Sequence, residues 1–175
     1  MRKLTSVLLL LPCVICAQPE ERDVWEPLRF FVGSWEGAGK GCPGVSTGER
    51  KYQFILNGQF LEVRTTSVYE PQGENSEGEI HEDWGIISYD GSREKFVFRQ
   101  FHAEGFVNQY VLDSLVWQRK ALVFLTESIE NIPPGWRARI TCTITNDDEF
   151  IEVFELAGPE KDFEVYVENR FRRKR

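Results

Sequence analysis

The chain has 175 residues, 41% hydrophobic and 13% aromatic, with 28 acidic against 21 basic residues and a net charge of −7. That length suits one domain with a single core, and 13 Phe, five Tyr and five Trp can fill it without a metal or several disulfides. Five basic residues are Arg170, Arg172, Arg173, Lys174 and Arg175, so the body is more acidic than the total and argues against a nucleic-acid partner.

Arg2 and Lys3 precede an uncharged run from Leu4 to Ile15 that ends in Cys16-Ala17, the pattern of a secretory signal peptide cut after Ala17. The run is short for a bilayer span. We therefore expect residues 1–17 as signal peptide, 18–23 as a flexible N-terminus, no stable membrane insertion, and an exported, periplasmic or extracellular protein. Lipidation of Cys16 would want a small residue before it, and Ile15 stands there. Of the remaining cysteines, Cys42 sits in the turn Gly41-Cys42-Pro43-Gly44 and Cys142 among apolar strand residues. An oxidising compartment permits a Cys42–Cys142 bridge; the alternative is a loop thiol and a buried structural thiol.

Asp23 is placed to cap a short helix with Pro27 in its first turn and Gly33 at its stop. Leu28, Phe31 and Val32 then share a face suited to plugging one end of a sheet. After Gly33 the period becomes two. Trp35, Gly37 and Gly39 alternate in the first strand, and Tyr52, Phe54 and Leu56 in a strand from Thr47 that stops at the hairpin signal Asn57-Gly58. Gln59–Tyr69 returns, followed by the polar loop Pro71–Gly78. Glu79–Tyr89 leads to a turn at Asp90-Gly91, then come Lys95–Ala103 and Phe106–Leu112. Ser114–Gln118 and Ala121–Ser128 form a further hairpin about Arg119-Lys120. Trp136–Thr145, Glu149–Leu156 and Asp162–Phe171 complete the set. About ten strands joined by tight turns predict an antiparallel meander, and closing it removes both apolar edges. The expectation is an all-β, up-and-down, calycin-like barrel over residues 24–171 with one short N-terminal helix. The basic tail, 172–175, is expected as a solvated end.

Leu28, the run Phe31-Val32-Gly33-Ser34-Trp35-Glu36-Gly37-Ala38-Gly39, the later Leu56-Asn57-Gly58-Gln59-Phe60-Leu61 and Trp84-Gly85-Ile86-Ile87-Ser88-Tyr89-Asp90 together resemble secreted bacterial calycin-like barrel proteins. The entry Gly-x-Trp-x-Gly-x-Gly is similar, more distantly, to that of nitrobindin-type haem barrels. The resemblance implies a barrel whose base is closed by Trp35, with Gly33, Gly37 and Gly39 as structural positions. It also implies a haem-ligating His towards the C-terminal end. No His follows His102, and the last strand reads Phe163-Glu164-Val165-Tyr166-Val167-Glu168-Asn169-Arg170, so no haem cofactor is expected.

His81-Glu82-Asp83 is the densest group of ligand-type side chains. On a strand, His81 and Asp83 face one way and Glu82 the other, so a metal site would need a further partner such as His102 directly opposite. Without it these are exposed strand residues, and no metal is expected. Arg64, Arg99, His102, Arg137 and Arg139 interrupt the apolar pattern, and on the lumen face they would hold the polar head of a ligand. The alternative is an outer wall where the arginines pair with acids. There is no Gly-x-Ser-x-Gly elbow, no P-loop and no Cys with a placed His, so no catalytic residue is expected. The sequence thus predicts a small-molecule-binding barrel with a hydrophobic or amphipathic ligand in its lumen. An interaction module with a filled core is the alternative, and a haem-binding nitrobindin-like protein a further one.

Overall fold

The computed structural model describes residues 23–73, 76–116 and 120–175. The expected signal peptide, 1–17, lies outside the described residues, as do residues 18–22 and most of the reversal before Lys120. A six-residue 3-10 helix, Glu26–Phe31, precedes ten strands: β1 (Gly33–Gly41), β2 (Gly44–Ile55), β3 (Phe60–Tyr69), β4 (Glu79–Asp90), β5 (Lys95–His102), β6 (Val107–Val116), β7 (Ala121–Glu130), β8 (Arg137–Asn146), β9 (Glu149–Ala157) and β10 (Glu164–Arg173). Each strand pairs antiparallel with its sequence neighbours. β10 closes on β1 from Trp35↔Arg173 to Gly41↔Val167, so the sheet is a closed up-and-down barrel with its backbone edges paired.

Three details differ from the sequence reading. The helix is 3-10, with Trp25 at its N-cap and no side-chain cap bond; Asp23 instead accepts from the Trp25 amide at 3.1 Å. Its single short stretch with Pro27 leaves no room for an α-helical ladder. The break expected between Leu112 and Ser114 is a β-bulge inside β6 rather than a strand end. Finally, β10 runs on through Arg172 and Arg173 into the basic tail. Arg172 pairs with Glu149, Lys174 with Glu49 and Arg175 with Asp148, so acidic partners fold these cations onto the base.

Strand polarity defines two ends. At the base, Trp35 is fully buried and its Nε1 donates to the Phe31 carbonyl at 2.7 Å. Phe150 meets its ring edge-on at 4.9 Å, and the Arg173 guanidinium lies 4.2 Å above it while donating to the Phe30 and Val32 carbonyls. Burial of these aromatics ties helix, β1, β9 and β10 together. Gly33 turns the chain into β1 at φ 126°, a conformation side-chain-bearing residues avoid. At Gly37 an added Cβ would stand 2.6 Å from the Phe171 ring, so the absence of a side chain lets that ring enter the core.

Candidate functional site

Because side chains alternate faces, one set from each strand points inward. Large apolar groups fill the base, and above them the barrel encloses a cavity of about 670 Å³ that runs from Leu28 and Phe31 to the opposite rim at Pro43, Trp136 and Tyr166. Phe98, Phe124, Ile87, Ile140, Phe154 and Leu156 form much of its wall.

Across that wall runs a polar row set by register. Arg50 lies opposite Thr65, Thr65 opposite Asp83, and Asp83 opposite His102, so four inward positions on β2, β3, β4 and β5 stand side by side. Arg50 and Glu152, each with 8% of its side chain exposed, form a two-pronged ion pair; Arg50 Nη2 meets Glu152 Oε1 at 2.9 Å and a second, shorter contact joins Nη1 to Oε2. Arg50 also donates to Thr65 Oγ1 at 3.0 Å and to the Tyr52 hydroxyl at 3.3 Å, and its guanidinium covers the Phe171 ring at 4.3 Å. Asn169 donates to Glu152 Oε1 at 3.3 Å. Burial alone would weaken the Arg50 cation; Glu152 beside it keeps the group firmly protonated. Glu152, Thr65 and Tyr52 take four of the five Arg50 N–H donors and Phe171 covers its face, which makes this pair a brace rather than a receptor for an anion.

Near the rim, Asp83 Oδ1 lies between two imidazoles, 3.1 Å from His81 Nε2 and 2.5 Å from His102 Nδ1. The second contact lacks hydrogen-bond alignment, leaving the buried His102 Nδ1 unpartnered. Glu104 Oε1 accepts from His81 Nδ1 at 2.6 Å. His102 stacks on Phe106 at 3.9 Å, and its Nε2 faces the Asn108 amide at 3.0 Å. Burial pushes the Asp83 carboxyl up, but the flanking imidazoles more than offset this and hold it well below the usual carboxylate range. The hydrogen bond to Asp83 raises His81 to about 9 against the opposing effect of burial, with Glu104 adding to the rise.

Of the residues singled out from sequence as ligand-binding, only His102 faces this cavity. Arg64, Arg99, Arg137 and Arg139 stand on the outer wall, because alternation already places Val63, Phe98, Ala138 and Ile140 inward. Arg64 pairs with Glu62 at 2.9 Å and covers Trp84 at 4.6 Å; Arg139 pairs with Glu155 at 2.5 Å; Arg137 covers the Phe163 ring at 5.0 Å. His81 and Asp83, expected as exposed strand residues, line the cavity instead, and His102 does lie opposite Asp83. Cys42 is an exposed free thiol and Cys142 a buried one facing Glu152, so the permitted bridge is not formed. Arg50, Glu152 and Asn108 were missed. The first two carried a signal, since alternation sets Arg50 on the face of Tyr52 and Glu152 on that of Phe150 and Phe154.

The lumen-facing residues of β10 are Val167, Asn169 and Phe171, with Tyr166 at the rim beside the bulge. None of these is a His, the ligand that the nitrobindin resemblance implies.

Neither a family model nor a curated protein sequence matches the chain. Among solved structures it is similar to Rv2717c from M. tuberculosis, with a TM-score of 0.65 and 15% identity over 89% of this chain and 100% of that one. A de novo designed fluorescence-activating β-barrel aligns with a TM-score of 0.43 and 16% identity over 83% of this chain and 95% of that one. The first likeness is one of fold: a closed antiparallel barrel.

Proposed function

We propose that this is an exported, calycin-like binding barrel that holds a small amphipathic ligand in its lumen, with no haem and no catalytic step in the reading. The observation that carries it is the cavity of about 670 Å³, within the range of small-molecule sites, lined mostly by apolar side chains with a few convergent polar groups. A solidly filled interaction module would not leave that space. Glu79, Asp83 and Glu104 stand at the upper end of the cavity while four surface arginines face away, so the rim favours a neutral or cationic head group over a carboxylate.

Titration with Nile red, a neutral polarity-sensitive dye, tests the reading. One dye per chain is expected, with blue-shifted emission. Leu156→Trp, which adds bulk from a half-buried wall position into the empty space, is expected to abolish binding while the chain stays folded. Equal binding by this variant would place the dye elsewhere and sink the proposal. Hemin added to the purified protein is expected to give no shifted Soret band.

A further inference from the structure

We propose that His81, Asp83 and His102 form a binding site for one first-row divalent cation such as Zn²⁺ or Co²⁺, at the rim of the lumen and independent of any organic ligand. Two imidazoles and one carboxylate suit such ions. One donor atom from each residue lies within 4.8 Å of the others. An ion bound at about 2.0–2.1 Å sets neighbouring donors about 3.0–3.4 Å apart. The 3.1 Å between Asp83 Oδ1 and His81 Nε2 already meets that spacing, and the 2.5 Å to His102 Nδ1 needs only a small opening.

Two further features point to an ion rather than to a chain of hydrogen bonds. Each imidazole is held through its far nitrogen, as metal-bound histidines are. His81 Nδ1 is fixed by Glu104, which points Nε2 at the site; a cation binding there takes the place of the proton that Nε2 shares with Asp83, and that proton leaves to solvent. His102 Nδ1 is buried and unpartnered beside Asp83, while its Nε2 faces Asn108, a residue only 2% exposed. Asn108 Oδ1 is itself buried without a partner. Turning that amide over lets Oδ1 accept from both His102 Nε2–H and the Tyr110 hydroxyl, now 2.9 Å from the amide nitrogen. That tautomer leaves the His102 Nδ1 lone pair for a metal. The three protein donors would leave the remaining coordination positions open to water from the cavity.

The chain contains two histidines, so imidazole ¹⁵N spectra read the site directly on untagged, chelator-treated protein. On adding Zn²⁺, both pairs of ring signals are expected to shift together and to stop changing at one equivalent. Co²⁺ is expected to give d–d absorption that Zn²⁺ abolishes. Unchanged histidine signals in the wild type would overturn the proposal. His81→Ala/His102→Ala is expected to weaken Zn²⁺ binding at least 100-fold, and Glu104→Gln about 10- to 100-fold. A folded double variant that binds Zn²⁺ as the wild type does would also overturn it.

Discussion

Residue by residue, buried charge governs what a substitution does. Arg50 and Glu152 satisfy one another across strands far apart in sequence, so removing one partner leaves a charge with nothing opposite it. Arg50→Met is expected to cost about 3–5 kcal/mol in urea unfolding, and Arg50→Met/Glu152→Leu clearly less than Glu152→Leu plus Arg50→Met taken separately. A cost below about 1 kcal/mol for the single change would contradict the brace. Glu62, on the outer wall, gives a pH prediction. Burial raises its carboxyl, and hydrogen bonds from Trp84, Arg64 and Gln53 outweigh this and lower it below the ordinary value of 4.5. A depressed folded-state value means that the contribution is present above the unfolded value and is lost as pH falls through the folded one. Glu62→Gln is thus expected to lose about 1–3 kcal/mol at neutral pH and to show a shallower fall in stability on acidification, followed by urea melts from about pH 7 to pH 3. Parallel curves for the two proteins would refute that assignment.

The strands and their turns explain how much could be read in advance. Alternation and turn residues placed the strands to within a few residues except β6, which they split in two at its bulge, because the period of two is imposed by one buried face. Asn57-Gly58 also gave the right register, since the Leu56–Gln59 turn is centred on it and sets Arg50 opposite Thr65. At Asp90-Gly91 the same reasoning failed. A two-residue turn there would set Asp83 opposite Phe98. The reversal instead spans Gly91–Glu94, with Glu94 at φ 53° and Asp90 accepting from the Ser92 and Arg93 amides, which slides His102 opposite Asp83. The polar site was therefore hidden in a turn length rather than in residue type. The arginines misled for a related reason: without the faces fixed, a charged residue in a strand reads equally as lumen or outer wall. One element-level test concerns the first strand. Gly37→Ala forces a methyl against the Phe171 ring and is expected to destabilise by about 1–3 kcal/mol, whereas Ala38→Ser, facing outward, is expected to be neutral. Equal melting points for the two variants would remove the close-approach argument.

At the scale of the whole molecule, closure and hollowness are separate facts with different origins. Closure follows from ten sequential antiparallel strands and was legible in their spacing. Hollowness follows from the unequal filling of the lumen, where Trp35, Phe150, Phe171 and the helix crowd the base and mid-sized side chains above leave space. No sequence pattern states how far a ring reaches across a barrel. The central claim is that this space exists to be occupied. Native mass spectrometry of the untagged protein, purified from its own host and gently desolvated, tests it most directly: the account predicts a mass above that of the bare chain by one small molecule, lost in Leu156→Trp. A bare-chain mass for the wild type, with Nile red also excluded, would contradict it.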